Sequence, residues 1–337
     1  MEDVQGLNWG LVGASTIARE YVIDAIRSQS GSDVAAMVSS DRERGERFAA
    51  QCDIPRVATS LEELLEDDLV DAVYISTTNQ HHASQALAAI RAGKHVLCEK
   101  PLAMSLDDAR SMVEAAEVGN VVLGTNHHLR GAATIQKIRN LVVEGAVGTP
   151  LYAEVAHVCQ LPPDLRGWRL EDSAAGGGVA FDLVGHDADT LRYILDSEVV
   201  EVSAMADSHY PIEQGMVAVL KFDSGVLAHI IDTFNVPYGG TGVTIHGTRG
   251  TIRANDVLTQ QPVGTVTLVD DRGERAMDVQ HHGLYEYALQ RFTSAARGHG
   301  TPLATGGDGV ASLAVTLAAR ASVASGSSET VEYSGGL

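Results

Sequence analysis

This chain lacks the features that would take a protein into a membrane, onto a nucleic acid or into a disulfide framework. No apolar run in its 337 residues reaches the ~18 residues of a membrane span. The start, Met1-Glu2-Asp3-Val4-Gln5-Gly6, has neither the basic end nor the apolar stretch of a secretory signal. Cysteine is scarce and odd in number: Cys52, Cys98 and Cys159 are scattered, which predicts thiols in a reduced, cytoplasmic setting. Positive charge is in deficit, with 24 Lys and Arg against 44 Asp and Glu and a formal net charge of -20. Nucleic acids and anionic membrane surfaces are therefore poor partners. Repeats and low-complexity tracts are missing too. What remains is a globular composition, 45% hydrophobic, with length enough for two domains.

Strand and helix patterns alternate through the first third. The spacing predicts strands over 7–13, 34–39, 72–77, 95–98 and 121–125. Helices fit 16–27, 42–51, 81–91 and 106–118, and Ser60-Leu61-Glu62-Glu63 has the form of a capping box. The wholly apolar 72–77 suits the centre of a parallel sheet. The alternation predicts an α/β Rossmann domain over 1–130, a doubly wound sheet with a nucleotide at its C-terminal strand ends. A crossover helix over about 131–145 follows. Strand patterns then dominate, over 151–158, 200–206, 217–222, 226–233, 242–246 and 265–268. Helices interrupt at 179–195, 284–297 and 310–324. The prediction for 131–337 is an α+β domain with a large, mostly antiparallel open sheet.

Gly13-Ala14-Ser15-Thr16-Ile17-Ala18 fills the first strand-to-helix turn, where a dinucleotide-binding chain carries G-x-G-x-x-G/A. Ser15 replaces the second glycine and could give its hydroxyl to a phosphate. Ala18 is small enough for close helix–sheet packing. The second strand ends Met37-Val38-Ser39-Ser40, before Asp41-Arg42-Glu43-Arg44. It has no carboxylate at its very end to bind a ribose 2′-OH, and two hydroxyls with two arginines suit a 2′-phosphate. This favours NADPH over NADH, with Arg44 preferred to Arg42. Asp41 is the competing group, since a small shift would let it bind a 2′-OH. Thr77, Thr78 and Asn79 end the central strand, either as polar caps or as contacts to the nicotinamide ribose and pyrophosphate.

Glu99-Lys100-Pro101 follows the apolar strand His95-Val96-Leu97-Cys98. Charges there are costly unless they are used. After a nucleotide-binding pattern, a lysine so placed can polarise a carbonyl oxygen. Glu99 can hold Lys100 or shape its loop. Further on, Gly176-Gly177-Gly178 precedes Asp182 and His186, four residues apart and so on one helical face. A lysine, a histidine and a carboxylate are what carbonyl reduction needs: hydride goes to carbon, and a proton must reach the developing alkoxide.

In this order the motifs G-x-x-x-I-A, E-K-P and G-G-G-x-x-x-D-x-x-x-H resemble the glucose–fructose oxidoreductase/inositol dehydrogenase (Gfo/Idh/MocA) family, across essentially the whole chain. The resemblance implies a Rossmann domain followed by an α+β domain. It implies NADPH reducing the ketone of a cyclic anhydro-sugar. It places Ser15, Ala18, Ser39 and Arg44 at the adenosine phosphate end, and Lys100, Asp182 and His186 at the reacting end. The cofactor candidates are thus Gly13, Ser15, Thr16, Ile17, Ser39, Ser40, Arg44, Thr77, Thr78, Asn79, Glu99 and Lys100. Relatives that reduce or oxidise other sugars and inositols, or that cleave glycosides with bound NAD, are the alternatives. A non-catalytic regulator on this fold would be expected to lose Lys100 or His186.

His128, His157, Trp168 and Arg169 are candidate sugar contacts, Trp168 equally a packing residue beside the glycine run. Three His-His pairs, His81-His82, His127-His128 and His281-His282, point their rings in different directions, so no metal is expected from them. The expected partner is a small sugar. Pairing of chains through the second-domain sheet and a monomer both stay open.

Overall fold

The structure, a computed structural model, describes residues 6–333. The chain forms two compact units: one takes the residues up to His128 with Tyr285–Val310, the other Leu129–Leu284 with the residues from Ala311 on.

The first unit is built on six parallel strands: β1 (Asn8–Val12), β2 (Asp33–Val38), β3 (Val57–Ala58), β4 (Ala72–Ile75), β5 (His95–Cys98) and β6 (Leu123–Thr125), in the order β3-β2-β1-β4-β5-β6. All four residues of β4 are buried, as helices on both faces of a parallel sheet require. Order reverses between β1 and β4, and ligands bind at such a switch point. Serine caps set two of the helix starts. Ser105 accepts from the Asp108 N–H at 3.2 Å, and Ser60 from the Glu63 N–H at 3.2 Å. The capping box is shifted, because the Glu63 carboxylate bonds the Thr59 N–H at 2.7 Å.

The segment Tyr285–Val310 belongs to this unit, whereas the sequence pattern put it with the second domain. Its helix, Leu284–Ala296, sets Phe292 against Trp9 with ring centroids 5.2 Å apart. Gly124 of β6 permits this approach: a Cβ there would lie 3.0 Å from the Phe292 ring.

The second unit carries nine strands: β7 (Pro150–Gln160), β8 (Val199–Ala206), β9 (Gly215–Phe222), β10 (Leu227–Thr233), β11 (Asn235–Gly247), β12 (Gly250–Asn255), β13 (Thr265–Asp270), β14 (Gly273–Met277) and β15 (Glu329–Thr330). All pairings are antiparallel except β10 with β7. β9 alternates buried and exposed residues, so one face is core and the other open. Met205, Val217 and Val219 stand exposed on the open face. Behind the core face, the helix Gly185–Leu195 is held by ion pairs, the one to Arg130 buried on both sides. Asp189 takes a two-pronged bond from Arg130 at 2.8 and 2.7 Å, and Arg192 donates to Glu198 at 2.6 Å. No helix among the described residues is long and apolar enough to cross a membrane.

Candidate cofactor and substrate sites

In the first unit, β1 delivers the chain into a turn at Gly13, whose φ is +105°. A Cβ there would sit 3.1 Å from the Thr77 side chain and 3.2 Å from Ser76 backbone, so only glycine brings these two strand ends together. Gly13 N–H also reaches Val38 O at 2.9 Å, drawing in the end of β2. The ends of β1, β2 and β4 thus converge. Thr16 and Ile17 stand at the opening of the helix that follows. Ser15, a candidate phosphate contact, bonds within the turn. Its hydroxyl donates to Ser76 Oγ at 2.8 Å and accepts the Ala18 N–H at 3.0 Å. A phosphate would compete with Ser76 for that hydrogen.

At the end of β2, Asp41 caps the helix Arg42–Gln51 by accepting the Arg44 N–H at 3.0 Å. The two arginines separate clearly. Arg42 pairs with Glu46 at 2.8 Å along the exposed helix face. Arg44 turns back and donates to Ala14 O at 2.6 Å, at the glycine turn. Gly45 lets the helix lie close on Ser39, where a Cβ would be 3.1 Å from Ser39 Cβ. Ser40 follows at the exposed mouth of this loop.

After β4, Thr77 donates to Gln85 at 2.7 Å, Thr78 precedes a short 3-10 turn, and Asn79 is buried. Beside them Lys100 and Pro101 are joined by a cis peptide. Glu99 accepts from the Tyr74 hydroxyl at 2.5 Å and the Asn126 amide at 2.6 Å. Burial pushes its carboxyl above the ordinary range, and those two donors pull it back. Burial and the nearby Glu99 push the Tyr74 phenol well up. The residue before Lys100 is therefore clamped from β4 and from the end of β6.

His82 is a positioning residue that the sequence did not reveal. Its Nδ1 lies 2.8 Å from Pro101 O and its Nε2 3.2 Å from Thr77 O. Burial lowers its pKa, and the two carbonyl partners pull it back up. One imidazole so links the turn after β4 to the turn that carries Lys100. His128, a candidate sugar contact, packs among aromatic rings. Its ring is 3% exposed and stacks on Tyr285 at 4.8 Å, with Tyr21 stacked beyond.

In the second unit the glycine run wraps the short helix Gly167–Glu171. Gly177 and Gly178 donate to Asp172 O and Arg169 O at 3.0 and 2.9 Å. A Cβ on Gly177 would meet three carbonyl oxygens, of Trp168, Asp172 and Arg169, within 2.9 Å. Arg169 lies over the Trp168 ring at 4.6 Å and donates to Asp182 at 3.2 Å. The structure thus gathers three predicted residues, Trp168, Arg169 and Asp182. Glu213 joins them: a Cβ on Gly178 would collide with the Glu213 carboxylate. Asp182 sits in a π-type turn, Ala180–Val184, and His186 in the first turn of the α-helix after it. Such wide turns recur at functional sites. His186 is 5% exposed, and His157 projects from β7 beside Asp187 at 3.2 Å.

A parallel sheet with a glycine turn at its switch point, followed by a large, mostly antiparallel sheet, is the architecture of a dinucleotide-binding protein with a second domain. Comparison with known proteins makes this specific. Residues 7–127 match the oxidoreductase family with an NAD-binding Rossmann fold, and residues 135–253 match the GFO/IDH/MocA C-terminal domain. The chain is 51% identical to a 1,5-anhydro-D-fructose reductase from Ensifer adhaerens, over 96% of this chain and 98% of that one. It is 31% identical to a myo-inositol 2-dehydrogenase from Thermotoga maritima, over 77% and 80%. A solved aldose-aldose oxidoreductase from Caulobacter crescentus shares the fold, with a TM-score of 0.88 at 23% identity over 97% of this chain and 100% of that one. This protein belongs to the Gfo/Idh/MocA oxidoreductase family.

Proposed function

We propose that this enzyme reduces the ketone of 1,5-anhydro-D-fructose to the alcohol of 1,5-anhydro-D-mannitol, with NADPH as coenzyme. The observation that carries the proposal is 51% identity to a 1,5-anhydro-D-fructose reductase along nearly the whole of both chains. The motifs of the reacting end, Lys100, Asp182 and His186, are all retained.

The first unit fits a dinucleotide. Its glycine turn leaves bare backbone at the switch point, with a helix N-terminus behind it. Arg44 already reaches that turn, and the Asp41 carboxylate is engaged as a helix cap. Both features favour a 2′-phosphate over a 2′-OH. When bound, the reduced nicotinamide supplies a hydride to the carbonyl carbon.

The protein supplies the rest. The Lys100 ammonium donates to the carbonyl oxygen and stabilises the charge that grows there. His186 gives the proton that turns the alkoxide into an alcohol, and solvent restores it. Asp182, oriented by Arg169, accepts from a sugar hydroxyl. Glu99, clamped by Tyr74 and Asn126, fixes the backbone that leads into Lys100. We infer a cytoplasmic enzyme that keeps Cys52, Cys98 and Cys159 as thiols. It works as a monomer or as a pair joined through the open sheet face.

Lys100→Met tests the assignment. Turnover should fall at least ~100-fold, as expected for a lost charge-stabilising donor. NADPH binding, followed by fluorescence titration, should change little. Unchanged turnover would remove Lys100 from the chemistry.

A further inference from the structure

Glu213 has no part in the reaction as described, yet it stands among residues that do. It lies in the loop between β8 and β9. Strand register sets the foot of that loop at one end of the second-unit sheet. Gly215 pairs with Thr233 of β10, and the neighbouring Asp232 pairs with His157 of β7. The loop therefore begins at the sheet end that carries His157, a candidate sugar contact.

The loop is stitched in place. The Asp207 N–H donates to Gly215 O at 2.9 Å, and the Asp207 carboxylate accepts the Gln214 N–H at 3.2 Å. Gln214 O accepts the Phe234 N–H at 2.8 Å, and Glu213 O accepts the Val179 N–H at 3.1 Å. That last bond ties Glu213 to the start of the helical run that carries Asp182 and His186. Ile212, one residue earlier, is buried.

The Glu213 side chain lies against the glycine run. Gly178 has a φ of +108°, a conformation that favours glycine, and its missing Cβ leaves the space that the carboxylate fills. The Gly178 N–H donates to Arg169 O at 2.9 Å, and Arg169 donates to Asp182 at 3.2 Å. Gly178 thus has the Glu213 carboxylate beside it and the Arg169–Asp182 pair one hydrogen bond away. The Arg169 guanidinium is engaged by Asp182 and by Leu165 O. Among the described residues, Glu213 Oε1 is buried and meets no hydrogen-bond donor. A carboxylate oxygen in that state is costly until a donor reaches it. Glu213 as a residue is only part-buried, so a ligand can approach it.

We propose that Glu213 is a specificity residue of the sugar site, and that its carboxylate accepts a hydrogen bond from a hydroxyl of a neutral, polyhydroxylated ligand. The inference rests on the sugar-reductase function proposed above. Asp182 and Glu213 then receive two different hydroxyls, and each discriminates against a ligand that lacks its partner. Gly178 is glycine so that the second carboxylate can lie on the backbone there.

The test is steady-state kinetics of Glu213→Ala and Glu213→Gln at saturating NADPH. KM for 1,5-anhydro-D-fructose should rise about tenfold in Glu213→Ala, the worth of one hydrogen bond to a charged acceptor. It should rise about threefold in Glu213→Gln, which keeps the shape and a neutral acceptor. Glu213 touches no reacting atom, so kcat should change by less than about twofold. Melting of the Gln variant should stay within about 2 °C of the unsubstituted protein. Unchanged KM in both variants would overturn the proposal. So would a lowered kcat and melting temperature without a rise in KM, the mark of a residue that only holds its loop. An unsubstituted enzyme that leaves 1,5-anhydro-D-fructose untouched would overturn the substrate instead. The same KM ratios, taken with the sugar or inositol that it does turn over, then decide the role of Glu213.

Discussion

Arg44→Ala is the substitution that reads the coenzyme assignment most cleanly. The guanidinium donates to Ala14 O at 2.6 Å, so it already sits at the glycine turn. A bound 2′-phosphate would recruit it through charge-assisted bonds, worth about 1.5–3 kcal/mol. Two effects reduce that figure. Arg44 is exposed and its charge is screened, and part of the gain offsets the bond to Ala14. The lower end, about 1.5 kcal/mol, is about tenfold in kcat/KM for NADPH. NADH has no 2′-phosphate, so its kcat/KM should change by less than about threefold, within a surface substitution's ~0.5 kcal/mol. The assay is steady-state oxidation of each coenzyme at low ionic strength. Rising salt should erode the preference for NADPH in the unsubstituted enzyme and leave the variant unaffected. Arg42→Ala is the control, since Arg42 is occupied by Glu46. An equal loss with both coenzymes, or none with either, would refute the role given to Arg44.

Other substitutions probe the scaffold. Asp189→Asn strips Arg130 of its buried partner, where both side chains are under a tenth exposed. It should cost about 3–5 kcal/mol in urea unfolding, the usual penalty of an uncompensated buried charge; a cost below ~1 kcal/mol would contradict this account of the helix anchor. Gly177→Ala forces a methyl against three carbonyl oxygens that are backbone and cannot swing aside. Melting should fall by about 5–10 °C, for a strain of about 2–3 kcal/mol, and an unchanged melting point would mean the loop relaxes freely.

The sequence shows the nucleotide-binding architecture because parallel strands announce themselves. β4 is a short apolar run buried at every position, and Gly13 marks the turn where no side chain fits. The alternation in β9 is equally plain. The π-type turns at Ala18–Val22 and Ala180–Val184 left no such trace, since one extra residue in a helical ladder does not change which residues are apolar. Asp182 and His186 therefore read as partners on one uniform helix, though two helix types meet between them. β12 and β14 are masked in the sequence by charged and small residues. The return of Tyr285–Val310 to the first unit was hidden for another reason. An amphipathic helix shows that it has a buried face, not which core that face meets. His82 and the His157–Asp187 pair depend on contacts between distant segments, and no local pattern encodes those.

The most direct measurement is oxidation of NADPH by the purified enzyme with 1,5-anhydro-D-fructose, with NADH, ketoses, aldoses and inositols run in parallel. The account predicts turnover that is fastest with NADPH and this substrate, and 1,5-anhydro-D-mannitol as the product identified by NMR. Equal or faster turnover with NADH would contradict the coenzyme assignment. Failure to consume the anhydro-sugar while an inositol or another sugar is turned over would contradict the substrate.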